Sequence, residues 1–145
     1  MGQLHELRLR SNAFVAKIDQ YIEDSIVDSA DELIKLNRKQ MMSSTNADDK
    51  PLIHLKTGSS NLSNGYAKKN GKTKPNLYNS GGFQKEMFLE PRFPQYFIRS
   101  FNEVGKHLVK MYDNIFGVSP ENQDEAKQIT FSAFSKRYSK DVFLK

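Results

Sequence analysis

From residue 56 to residue 82 the chain is written largely in turn-formers. Lys56-Thr57-Gly58-Ser59-Ser60-Asn61 is followed by Asn64-Gly65, Asn70-Gly71, Lys74-Pro75-Asn76 and Asn79-Ser80-Gly81-Gly82. Glycine supplies positive φ, proline fixes φ, and Asn and Ser bond their own backbone, so this density specifies loops and tight turns. The segment splits a chain whose two ends both carry helical periodicity. With 145 residues there is material for one domain (1–145) and a modest core. A loop this long inside such a domain is uncommon unless it has a function of its own.

Across residues 4–40 the apolar side chains fall at Leu4, Leu7, Phe14, Ile18, Ile22, Ile26, Ala30, Leu33 and Leu36. Steps of three and four keep them on one helical face. The spacing predicts a long helix over 1–42, or a short helix and a long one if Ser11-Asn12 caps a fresh start. Leu52-Ile53-His54-Leu55 reads as a short strand. Residues 83–90 and 95–101 read as two strands of a hairpin joined across Pro91-Arg92-Phe93-Pro94, rich in aromatic and branched residues. Large side chains on both faces predict cover on two sides, by the helices and by a neighbouring subunit. Phe88, Phe93, Tyr96 and Phe97 are the candidate subunit-interface residues.

Ser100-Phe101-Asn102-Glu103 has the capping-box form, with Ser100 as N-cap of a helix carrying Val104, Leu108, Met111, Tyr112 and Ile115 as far as Gly117. Ser119-Pro120-Glu121 starts another, with proline at its first position. Ala126, Ile129, Ala133, Phe134 and Val142 continue that stripe. The fold class is α+β: a long N-terminal helix, an extended loop and small antiparallel hairpin over 52–101, and a helical pair over 101–143.

No constellation points to catalysis or to a cofactor. The chain has no cysteine, which removes disulfides, thiolate chemistry and Cys-based zinc sites. His5, His54 and His107 stand far apart, without metal-ligand spacing. Lys56-Thr57-Gly58-Ser59-Ser60 lacks the order and context of a phosphate-binding loop, and Ser60, Ser80 and Ser100 have no activating neighbour in sequence. No apolar run near Met1 resembles a signal peptide and none is long enough to span a bilayer, so a soluble protein made in the cytoplasm and without membrane contact is expected. The net charge of +5 gathers at Lys56, Lys68, Lys69, Lys72 and Lys74, with no acidic residue between them. Such a run favours phosphate backbones or acidic protein surfaces. With Tyr66 and Tyr78 it makes non-specific DNA contact the second expectation for a partner.

The stretch Leu77-Tyr78-Asn79-Ser80-Gly81-Gly82-Phe83-Gln84-Lys85-Glu86-Met87 resembles the aspartate-threonine-glycine-x-leucine turn of small neck and tail-completion proteins of tailed bacteriophages. Asn79, Ser80 and Gly81 stand at the motif positions and Phe83 at its apolar position, while Glu86 replaces the usual serine. Tyr112-Asp113-Asn114-Ile115-Phe116-Gly117-Val118-Ser119 is similar to a tyrosine-glycine segment of phage structural proteins, with Asp113 in place of a glycine. The resemblance implies a long N-terminal helix, a flexible loop, a glycine turn opening a strand, a hairpin and a helix. It also implies a non-enzymatic virion component, made in the host cytoplasm. Such a component forms a ring at the head–tail junction beside portal, adaptor or tail proteins. The turn Asn79, Ser80, Gly81, Gly82 and Phe83 is then structural, and either Gly81 or Gly82 is expected to hold a positive φ.

Overall fold

The structure is a computed structural model and describes residues 2–62, 71, 73–77, 81–92 and 95–143. The fold is α+β, with six α-helices and one antiparallel hairpin among the described residues. The helices are α1 (Gly2–Ala16), α2 (Ile18–Asp28), α3 (Ala30–Met42), α4 (Gly82–Lys85), α5 (Glu103–Met111) and α6 (Gln123–Tyr138). The strands β1 (Met87–Arg92) and β2 (Gln95–Ser100) form the hairpin. A 3₁₀ turn, Pro120–Asn122, leads into α6, and a wide helical turn, Ser139–Phe143, follows it.

The long N-terminal helix is present but bent twice, at Lys17 and Ser29, and not capped anew at Ser11-Asn12. The second bend has a local cause. Ser25 Oγ donates to the Tyr21 carbonyl at 2.6 Å and Ser29 Oγ to the Ser25 carbonyl at 2.7 Å. Hydroxyls that bond back one turn compete with the helical ladder and bend it. The apolar stripe is therefore used unevenly. In α1 only Phe14 is buried, stacked on Tyr21 and met edge-on by Phe134 and Tyr138.

The core lies on two sides of α3. Ile34 and Met41 join Leu52, Phe83, Met87, Ile98, Tyr112 and Ile115 in the larger cluster. Leu33 and Leu36 pack with Ala126 of α6, and Leu89 and Tyr96 press against them. Between these clusters α3 carries two buried amides. Asn37 Nδ2 donates to the Ile115 carbonyl (2.9 Å) and its Oδ1 accepts from Gly117 N (3.0 Å). Gln40 Nε2 donates to the Gly117 carbonyl (2.9 Å), and its Oε1 accepts from Ser119 N (2.8 Å) and Asn122 Nδ2 (3.1 Å).

Several boundaries differ from the sequence expectation. Residues 52–55 form no strand: His54 makes an isolated bridge to Tyr112, and Leu55 N donates to the Met111 carbonyl at 2.8 Å. The expected strand over 83–90 begins only at Met87, because Gly82–Lys85 closes a helical turn. Pro91 does not stop its strand; it pairs with Tyr96 inside the ladder. Ser100 is not the N-cap of α5. It still pairs with Met87, and its hydroxyl donates to the Phe83 carbonyl at 2.8 Å, so Asn102 caps instead by accepting from Val104 N. Helix α5 stops at Met111, where Tyr112 turns extended to meet His54. Its packing point is Gly105, where a Cβ would lie 3.0 Å from Phe83 Cε2, while Val104 faces out.

Replacing Asn37 with leucine leaves the Ile115 carbonyl and the Gly117 amide without their partner. At about 1–3 kcal/mol for each of the two buried groups so abandoned, a loss of roughly 2–6 kcal/mol is expected. Urea unfolding measures it, with the exposed substitution Gln20→Leu as a control expected to stay within about 0.5 kcal/mol of the parent.

Candidate subunit interface

Strand alternation decides what each face of the hairpin shows. The register pairs Met87 with Ser100, Phe88 with Arg99, Leu89 with Ile98 and Glu90 with Phe97. Met87, Leu89, Tyr96 and Ile98 turn to the core. Phe88, Glu90, Arg92, Gln95, Phe97 and Arg99 form the other face, and Phe101 extends it past the end of β2. A solvated sheet face ordinarily carries polar side chains. This one carries three phenylalanines.

The rings of Phe88 and Phe101 stack at 4.0 Å with 12° between their planes, and Phe101 is still 73% exposed. Phe97 is 37% exposed and lies beneath two guanidinium groups, with Arg92 Cζ 5.5 Å and Arg99 Cζ 5.6 Å from the ring centroid. Glu90 ties both arginines together: Arg92 Nη2 donates to Oε1 and Arg99 Nε to Oε2, each at 2.8 Å. The hydrogen bond from Arg92, then that from Arg99, holds the Glu90 carboxyl below the usual carboxylate range. Cation–π contact and charge-assisted bonding thus hold both guanidinium groups against the Phe97 ring and the Glu90 carboxylate.

The residues singled out in the sequence divide accordingly. Phe88 and Phe97 are on the outer face. Tyr96 is not: it packs on the α3–α6 cluster, and burial raises its hydroxyl pKa. Gly81 holds φ +84°, the left-handed conformation expected of one turn glycine, whereas Gly82 begins α4 and Phe83 is buried in the larger cluster. Lys56 and Lys74 are exposed. Asn79, Ser80, Phe93, Lys68, Lys69 and Lys72 lie outside the described residues, as do Tyr66 and Tyr78. Arg92, Arg99, Glu90 and Phe101 are not among the residues the sequence motifs point to, although strict alternation from Phe88 to Arg92 and from Gln95 to Arg99 puts the first three on the face of Phe97.

Elsewhere, His54 packs edge-on against Tyr112 with ring centroids 5.7 Å apart. A cleft of about 390 Å³ lies between the α2–α3 junction and α6, lined by Asp28, Glu32, Lys136, Arg137, Lys140 and Asp141 among others. Arg137 bridges Asp24 and Asp28 at its edge, and this pairing holds the Asp28 carboxyl below its ordinary range. Among the described residues no group of three His, Asp or Glu is placed to hold a metal ion, and no helix is long and apolar enough to cross a membrane. Comparison of the chain with protein-family models, curated proteins and solved structures finds no match.

Gly81→Val forces a branched side chain into the left-handed region and is expected to cost about 1–3 kcal/mol in thermal or urea unfolding. Gly82→Val, at a helical position, is expected to cost less than half as much. Equal losses at the two positions would remove the φ-based explanation of this turn.

Proposed function

We propose that the chain is a non-enzymatic structural component of a tailed-phage virion, acting at the head–tail junction as a neck, connector or tail-completion protein. It assembles into a ring of identical copies through the hairpin and the adjoining turn-rich loop, beside portal, adaptor or tail proteins. Two things support this reading. One is the likeness of residues 77–87 and 112–119 to segments of such proteins. The other, which carries it, is the aromatic outer face of the hairpin. Three phenylalanines and two ordered guanidinium groups on a sheet face resemble the core of a protein interface, where aromatics and arginine are enriched.

Light scattering of the purified protein is expected to give a multiple of the 16.7 kDa chain mass, and negative-stain electron microscopy is expected to show rings. The double substitution Phe97→Ser/Phe101→Ser is expected to weaken association at least tenfold, since removing interface aromatics costs on the order of 2 kcal/mol or more. Its far-UV circular dichroism should stay that of the parent, because both rings point away from the core. A protein that is monomeric at roughly millimolar concentration would end this proposal.

A second reading, nucleic-acid binding, is favoured by the absence of any Asp or Glu between Lys50 and Lys85. Neutralised phosphates release counterions, so such binding falls steeply with salt. Joint replacement of Lys68, Lys69, Lys72 and Lys74 by glutamine separates the readings: ring assembly through the hairpin survives it, and phosphate binding does not.

A further inference from the structure

A ring closed by one repeated contact needs two different surfaces on each copy, so the hairpin's outer face requires a counterpart elsewhere on the same chain. We infer that this counterpart is the acidic outer face of α2, around Val27, on the adjacent copy. The inference rests on the assembly reading above and names its second surface.

Charge complementarity selects it. Between positions 18 and 32 the chain carries Asp19, Glu23, Asp24, Asp28, Asp31 and Glu32, and no Lys or Arg. Arg137 neutralises Asp24 and Asp28 from α6. Asp19, Glu23 and Asp31 have no ion pair among the described residues. Val27 is exposed (47%) among them, one turn after Glu23 and one turn before Asp31 across the bend at Ser29. An exposed branched side chain flanked along the chain by the carboxylates of Glu23 and Asp31 suits a partner that is aromatic at its centre and cationic beside it.

The hairpin has that form. Its outer face holds two arginines against one glutamate, so one positive charge is left over. Arg99 reaches Glu90 through Nε alone, and neither of its terminal nitrogens has a partner among the described residues. A guanidinium so placed offers two parallel N–H groups to a carboxylate arriving from outside. The same excess charge disfavours the hairpin meeting a second hairpin about a two-fold axis, where like groups would confront each other. Pairing with α2 is heterologous and repeats from copy to copy.

The absence of native cysteine allows a direct test by cross-linking. Val27→Cys and Phe101→Cys are made as separate proteins, both at exposed positions, and mixed under mild oxidation. The expected product is the mixed disulfide joining one variant to the other, formed at least tenfold faster than the homodimer of either. In parallel, Glu23→Lys/Asp31→Lys and Arg92→Glu/Arg99→Glu are each expected to lower self-association at least tenfold, since juxtaposed like charges cost several kcal/mol, and their equimolar mixture to recover it. Circular dichroism checks that each variant is folded. Should the arginine pair not tolerate glutamate, Arg99→Gln with intact Glu90 replaces it and is expected to weaken association without rescue by the lysine variant.

Predominant disulfide homodimers of the Phe101→Cys variant, or association indifferent to Glu23 and Asp31, would overturn the assignment of α2 while leaving the hairpin an interface. A wild-type protein that stays monomeric would overturn the assembly reading as well. Salt-sensitive binding of an oligothymidine probe that Arg99→Gln abolishes, with no cross-link between copies, would reassign the face to single-stranded nucleic acid.

Discussion

The fold depends on two amide side chains. Residues 112–119 join α5 to α6 without helix or strand of their own, so their backbone polar groups need partners from outside. Asn37 and Gln40, one turn apart on α3, supply them: together they receive the amides of Gly117 and Ser119 and donate to the carbonyls of Ile115 and Gly117. Each amide uses both of its ends, which is the condition under which a buried polar group stabilises a structure. Gly117 meets this clamp at φ +127°, a conformation that side-chain-bearing residues rarely adopt. With the connection held there, α5 and α6 are both positioned relative to α3.

That reference helix also explains how a two-stranded sheet becomes a platform. An isolated hairpin is marginal in water. Here Met87 and Ile98 enter the cluster on one side of α3, Tyr96 packs against the cluster on the other, and Leu89 touches both, so the inner face of the hairpin bridges them. The base of the hairpin is tied separately, by Ser100 to the Phe83 carbonyl and by Phe83 to Gly105 of α5. The outer face is therefore carried by an inner one anchored at Met87 and Ile98.

Much of this was legible in the sequence because it rests on local rules. The 3.6-residue stripe gave the N-terminal helical arm, period-two alternation gave the hairpin, and Gly81-Gly82 announced a left-handed position that Gly81 occupies. What was not legible depends on contacts between distant residues. Asn37 and Gln40 look like ordinary polar positions, and only their loop, nearly eighty residues away, makes them central. The capping box at Ser100 failed because the hydroxyl was already committed to Phe83. Helix α5 ended early because Tyr112 found His54. In the candidate interface, the aromatic content of the hairpin points to Phe88 and Phe97, which face out, and to Tyr96, whose alternation with Phe97 places it inward with Ile98. The roles of Arg92, Arg99 and Glu90 emerge only once the register brings Glu90 opposite Phe97.

The ordering of that outer face has an energetic consequence. Binding through arginine normally loses side-chain rotamer freedom, about 0.5–1.5 kcal/mol for each side chain immobilised. Glu90 and Phe97 fix Arg92 and Arg99 before any partner arrives, so part of that loss is already incurred within the folded monomer. The stacking of Phe88 on Phe101 similarly orders a ring that is otherwise largely exposed. Lysines in place of the arginines would keep the charge but not the planar contact with Phe97 or the fork geometry toward carboxylates. The choice of residues thus favours directional recognition of a shaped acidic surface over diffuse attraction, which exposed lysines such as Lys56 and Lys74 are suited to provide.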